Sequence, residues 1–194
     1  DIVSGGELKR VVAAKGDVEK IVFSGVGKTS EEIKLAIEKN ILAFNVESED
    51  ELSRIQEIAN SLNKKASISI RVNPNVDAKT HPYISTGLKE NKFGVSEESA
   101  FDLYKKAKLL DSIEIEGIDC HIGSQITDLK PFEDSIKKLI KLVDRLEEEG
   151  INIRHIDIGG GIGIRYDDEK TIDFNEYAKI ISSQIKERKI KILM

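Results

Sequence analysis

The chain is poor in the residues that carry most metal and redox chemistry: its 194 residues include no tryptophan, one cysteine, one methionine and three histidines. A lone cysteine, Cys120, excludes an internal disulfide and leaves the Cys/His sets of structural zinc sites unfilled. His81, His121 and His155 are scattered without ligand spacing, so no metal is expected. No apolar run is long enough to cross a bilayer and no signal-peptide pattern opens the chain, which points to the cytoplasm and away from a membrane partner. Neither sign of charge gathers into a block. Lys plus Arg number 30 against 35 Asp plus Glu, a net charge of −5, so the electrostatic footprint of nucleic-acid binding is missing. With 39% hydrophobic and 34% charged residues, the chain reads as one globular domain over residues 1–194 with a small molecule as its expected partner.

Short β-branched runs alternate with segments of helical period. Strands are expected at 2–3, 21–24, 42–46, 66–72, 113–121, 153–158 and 190–194. Helices fall between them. In "SGGEL", Ser4 and Glu7 have capping-box spacing, Leu8, Val11 and Val12 form an apolar stripe, and Gly16 is the expected stop. "TSEEIKLAIEKN" and "SEDELSRIQEIANSL" repeat the device, and further helices are expected at 96–109, 132–149 and 174–187. This alternation implies parallel strands joined by right-handed crossovers, either an open doubly wound sheet or an α/β barrel. The regular repeat favours a (β/α)8 TIM barrel, left incomplete because about seven strands are present where eight strands and about 250 residues are needed. The chain opens at Asp1 without a methionine and stops inside the apolar "IKILM", which reads as a fragment.

In either architecture, ligands bind at the C-terminal ends of the strands. Those ends carry His121 and Ser124 from "GIDCHIGSQ", Gly159, Gly160 and Gly161 from "HIDIGGG", Arg71 and Asn73 from "SISIRVNP", and Asn45 and Glu47 from "FNVES". An imidazole, a hydroxyl and a glycine turn with bare amides suit a flat, phosphorylated cofactor. Each also has a plainer reading, a structural histidine or a glycine run that only lets two chain segments approach. Two lookalike motifs fail. "FSGVGKTS" ends like a nucleotide phosphate loop, but Val22 stands where its first glycine belongs. "GGGIGI" has Ile164 where a dinucleotide fingerprint needs its last glycine. His155, near the start of its strand, is expected to be exposed or structural, and strand alternation turns Cys120 away from His121.

"DIVSGGEL", "FSGVGK", "FNVES", "RVNPNVDAKTHPYISTGLKENKFG", "GIDCHIGSQ" and "DIGGGIGI", in that order, resemble the diaminopimelate decarboxylase branch of the alanine-racemase-like (fold type III) pyridoxal-phosphate enzymes. The resemblance covers nearly the whole chain, and "HIGSQ" with the "THPYISTGLKENKFG" stretch is specific to that branch. It implies a barrel domain that binds pyridoxal 5′-phosphate, within a two-domain homodimer that decarboxylates meso-2,6-diaminopimelate to L-lysine in lysine biosynthesis. It assigns His121 to the face of the pyridine ring, Ser124 and the Gly159, Gly160 and Gly161 backbone to the phosphate, and Arg71 to polar support under the cofactor. Asp1 and Glu7 are implied near the reacting end of the cofactor and the substrate. The family's cofactor-linking lysine precedes the segment matched by Asp1, while its Glu-Pro-Gly-Arg stretch and second, β-rich domain follow the match to Met194. The expectation is therefore a decarboxylase in the full-length protein and little turnover from these residues alone. A non-catalytic phosphate-binding module and a purely structural barrel fragment are the alternatives.

Overall fold

The computed structural model describes residues 1–77, 93–166 and 171–194. Residues 78–92, with His81 and most of "THPYISTGLKENKFG", and residues 167–170 lie outside the described residues. The described chain forms one seven-stranded, wholly parallel sheet: β1 (Val22–Phe23), β2 (Ala43–Val46), β3 (Ala66–Asn73), β4 (Val95–Ser96), β5 (Ile113–Asp119), β6 (His155–Asp157) and β7 (Lys191–Leu193). Its order is β1-β2-β3-β5-β6-β7, with β4 as a short spur on β3. Strands that neighbour in sequence neighbour in space, as in a curled half-barrel, in agreement with the incomplete TIM barrel.

The helices are α1 (Gly5–Ala13), α2 (Ser30–Lys39), α3 (Glu49–Ser61), α4 (Glu97–Lys108), α5 (Lys130–Glu148) and α6 (Phe174–Ile185). Their starts follow from local hydrogen bonding. Ser4, Ser48 and Ser96 each accept from a first-turn amide, Thr29 and Glu32 form a complete capping box, and Asp173 accepts from the amides of Asn175 and Glu176. α5 instead begins with Pro131 in its first turn, where the missing N–H costs nothing. Its stripe of Phe132, Ile136, Leu139, Val143 and Leu146 is buried, worth about 1.5–3 kcal/mol for each large side chain. No helix among the described residues is long and apolar enough to cross a membrane.

Several elements are shorter than their patterns. The strand expected at 2–3 is a single parallel bridge between Ile2 and Phe23, because Ser4 already caps α1 two residues on. β5 stops at Asp119, leaving Cys120 and His121 in the loop beyond. α1 ends at Ala13 rather than at Gly16. β4 and a 3-10 turn at Val18–Lys20 carry no pattern long enough to announce themselves.

The two faces of the sheet differ sharply. Phe23, Phe44, Val46, Ile68, Ile70, Val72, Ile118 and Ile156 pack with the helices in the core. The opposite face carries two polar rows set by strand register. One runs Asn45, Ser69, Gly117, His155 and Lys191; the next runs Arg71, Asp119, Asp157 and Leu193. Gly117 is needed because a β-carbon there would lie 2.2 Å from Nε2 of His155, whose ring fills that space and pairs with Ser69 Oγ at 2.8 Å. His155 is thus 3% exposed and structural.

β3 and β5 slip register between Ile68 and Ser69, and the slip is bridged from α4: Tyr104 accepts from the Ile70 amide (3.1 Å) and donates to the Gly117 carbonyl (2.7 Å). Tyr104→Phe leaves both buried backbone groups without that partner. The expected result is a loss of about 1–3 kcal/mol in urea denaturation, a lone buried unpaired group costing this much.

Candidate functional site

The second polar row opens at the C-terminal ends of the strands into a cavity of about 760 Å³, a size typical of small-molecule sites. Its walls include Asp1, Ser24, Arg71, Asp119, His121, Asp157, Gly159 and Gly160. Parallel pairing of β5 with β6 sets Asp119 beside Asp157, and so brings the loop after β5 against the loop after β6. His121 and the glycine run, 38 residues apart in the chain by their numbers, meet there.

The contact is close. A β-carbon on Gly159 would lie 2.7 Å from His121 Nδ1 and 2.8 Å from the Cys120 carbonyl oxygen; one on Gly161 would lie 1.9 Å from the Gly123 carbonyl oxygen. Both glycines have positive φ, 63° and 96°. Gly160 differs: its φ is outside the left-handed region, and a β-carbon there would meet nothing within 4 Å. The outer glycines let two protein segments touch, and the middle one faces open cavity. The Gly161 carbonyl accepts from the Ile126 amide, and the Gly159 amide donates to Asp157 Oδ1, which pins the turn. Among the described residues the Gly160 and Gly161 amides donate to no protein acceptor, leaving two N–H groups for an anion.

The charges are buried and coupled. Arg71 donates to Glu47 Oε1 at 3.0 Å, and its Nε lies 3.9 Å from Asp119 Oδ2. Burial, then the neighbouring Asp157, pushes the Asp119 carboxyl well above the usual carboxylate range against the pull of Arg71. Asn45 donates from Nδ2 to Ser24 Oγ and Asp157 Oδ2, and its buried Oδ1 has no partner among the described residues. Ser24 in turn donates to Asp1 Oδ1 at 3.0 Å. Burial, then Arg71, lowers the basicity of half-buried His121, so its ring is held neutral near pH 7 and is suited to lie against an aromatic face rather than to act as a fixed cation.

Of the sequence-predicted site residues, the structure brings together Asp1, Arg71, His121, Gly159 and Gly160 around the cavity, with Gly161 packed directly behind. Ser124 is exposed in the adjoining loop, its Cα 3.5 Å from the β-carbon position of Gly161. Glu7 is not in the wall; its Oε2 accepts from the Val3 amide at 2.6 Å, holding the segment that carries Asp1. Asn73 ends β3 and accepts from the Asn75 amide in a turn. Lys28, of the phosphate-loop lookalike, is buried and held by Glu51 at 2.6 Å and by two backbone carbonyls, so it is turned to the fold's interior. Cys120 is buried among apolar side chains, and burial followed by Asp119 pushes its thiol up, away from a reactive thiolate. Asp119, Asp157 and Ser24 were not singled out from the sequence. Period-two alternation back from His121 and from Gly159 marks the two carboxylates.

These residues fit a phosphorylated, flat cofactor on the structure's own terms: a glycine turn with unused amides, an open side at Gly160 and an imidazole of lowered basicity beside it. Fold and site together define a barrel-type domain that seats such a cofactor at its strand ends. The chain belongs to the pyridoxal-dependent decarboxylases, whose pyridoxal-binding domain matches residues 1–192. It is 53% identical over 193 residues to diaminopimelate decarboxylase of Pseudomonas aeruginosa, covering 100% of this chain and 46% of that protein. To the Vibrio cholerae diaminopimelate decarboxylase it is 55% identical over 185 residues, covering 95% of this chain and 44% of that one. The crystal structure of the Helicobacter pylori diaminopimelate decarboxylase complexed with L-lysine superposes with a TM-score of 0.97 at 48% identity, over 100% of this chain and 49% of that one. The chain spans about half the length of the curated relatives it matches.

Because His121 binds a proton less readily in the folded chain than an exposed histidine with a value of 6.5, the unfolded state takes up more protons on acidification. That contribution to stability is fully present above pH 6.5 and is lost as the pH falls below it. His121→Asn is expected to make the decline in thermal melting temperature between pH 7 and pH 5 shallower, with Asp119, whose shift has the opposite sign, common to both proteins.

Proposed function

We propose that this chain is the cofactor-holding half-barrel of a pyridoxal-5′-phosphate-dependent decarboxylase that converts meso-2,6-diaminopimelate to L-lysine and carbon dioxide. The observation that carries the reading is the glycine run: its outer residues are closed by protein contacts, while Gly160 presents bare backbone to the cavity beside His121. The names of the relatives and the L-lysine bound in one of them support the substrate and product.

In this reading the phosphate is held by the Gly160 and Gly161 amides and by Ser124, which lines up with the turn through the Gly123–Gly161 contact. His121 lies on the ring face, kept neutral by burial and by Arg71. Arg71 gives polar support below the ring, its charge offset by Glu47 and drawn toward Asp119. Asp1, tethered by Ser24, faces the substrate side of the cavity, and Glu7 holds the backbone that positions it. When bound, pyridoxal phosphate supplies an electron-accepting ring for the pair released as carbon dioxide leaves. Burial and the neighbouring Asp157 raise the proton affinity of the Asp119 carboxyl at the cavity wall, against the pull of Arg71. The full-length protein works in the cytoplasm as a homodimer.

Gly160→Val separates the cofactor's needs from the fold's. Since a β-carbon at 160 meets no protein atom within 4 Å, the full-length variant is expected to melt within a few degrees of wild type. Its affinity for pyridoxal phosphate, read by fluorescence titration, is expected to fall at least about ten-fold, equivalent to ~1.4 kcal/mol. Absence of carbon dioxide release from meso-2,6-diaminopimelate by the full-length, cofactor-loaded protein would overturn the assignment.

A further inference from the structure

Glu47 follows directly on β2 and is the most heavily used carboxylate near the cavity, yet it is not in the cavity wall. Its side chain is 2% exposed and accepts from three separate pieces of the chain: Arg71 at 3.0 Å, the Gly25 amide after β1 at 3.2 Å, and the Gly94 amide before β4 at 3.1 Å. Its own amide donates to Glu51 Oε2 at 2.9 Å, and Glu51 is paired with buried Lys28. The Glu47 backbone is therefore held as well as its carboxylate.

Arg71 does line the cavity. Of its five N–H donors, one, on the nitrogen nearest Glu47, makes a hydrogen bond to protein among the described residues. The Phe93 ring lies 5.3 Å from its guanidinium carbon, and Asp119 stands off at 3.9 Å from Nε. A pair built only as glue would use the guanidinium fork with both carboxylate oxygens. This pair spends a single N–H and gives the other carboxylate oxygen to a loop amide. A buried ion pair is also a weak source of net stability, since desolvating both charges offsets most of their attraction.

We propose that Glu47 is a positioning residue for the cofactor site, holding the Arg71 guanidinium at a fixed place in the cavity wall so that its remaining N–H donors face the bound pyridoxal phosphate. The inference rests on the cofactor reading given above. Without the Glu47 charge the guanidinium is no longer held at that place, and the Asp119 carboxyl, 3.9 Å from Nε, competes for the donors that would face the cofactor.

The test uses the full-length protein and a double-mutant cycle on the pyridoxal phosphate dissociation constant, with amide hydrogen exchange at Gly25 and Gly94 measured in the cofactor-free protein. Glu47→Gln is expected to weaken cofactor binding about ten-fold and to speed exchange at both amides. In an Arg71→Gln background the same change is expected to cost less than two-fold, because Arg71 transmits its effect. A merely structural role would weaken binding equally in both backgrounds, and that result overturns the proposal, as does an unchanged dissociation constant in Glu47→Gln alone. If Glu47→Gln does not fold, Glu47→Asp carries the same cycle, keeping the charge while shortening its reach. Failure of the wild-type protein to bind pyridoxal phosphate would overturn the cofactor reading and this proposal together, whereas a wild type that binds and a cycle without coupling would overturn this proposal alone.

Discussion

Everything at the cavity depends on the in-register parallel pairing of β5 with β6. Three residue pairs, from Gly117 with His155 to Asp119 with Asp157, decide which loop residues face each other beyond the strand ends. A slip by one residue would turn the carboxylates into the helix-packed core and the isoleucines into the cavity, since strand side chains alternate. Gly117 guards against that slip. Only a residue without a side chain can sit opposite the His155 ring, and only at this register does the ring reach Ser69.

The same register makes the inner face of the sheet polar, an arrangement a fold would not adopt for packing alone. Asp119, Asp157, Asn45 and Glu47 are buried and Arg71 is partly so, and they are connected mainly to one another and to loop amides. In that low-dielectric setting each charge strongly affects its neighbours, which is why Asp119 resists ionisation and His121 resists protonation. The outer face, by contrast, carries ordinary aliphatic and aromatic packing against six helices. Apolar packing and buried charge are thus divided between the two faces of the same strands.

Much of this was legible in the sequence. Alternation of β-branched runs with capped amphipathic helices is enough for a parallel sheet, and strand ends alone point to His121, the glycines and Arg71. The glycine run answered differently from either simple reading. Gly159 and Gly161 serve close approach between segments, Gly160 borders open space, and the amides of Gly160 and Gly161 have no protein acceptor among the described residues. What the pattern did not reveal depends on long-range partners. The Tyr104 bridge, the Lys28–Glu51 pair and the pairing of Asp119 with Asp157 each join residues far apart in the chain, and no local periodicity encodes them. Element ends were lost for a related reason: β5 yields to the loop at Cys120 because that loop must turn to meet Gly159.

The Ser69–His155 rung lies one row below Arg71, Asp119 and Asp157 on the same face, and neither of its residues is in the cavity wall. Its hydroxyl and imidazole are buried against each other and so are spent within the fold. On these three strands the polar side chains met by an arriving molecule are therefore those of the upper row alone.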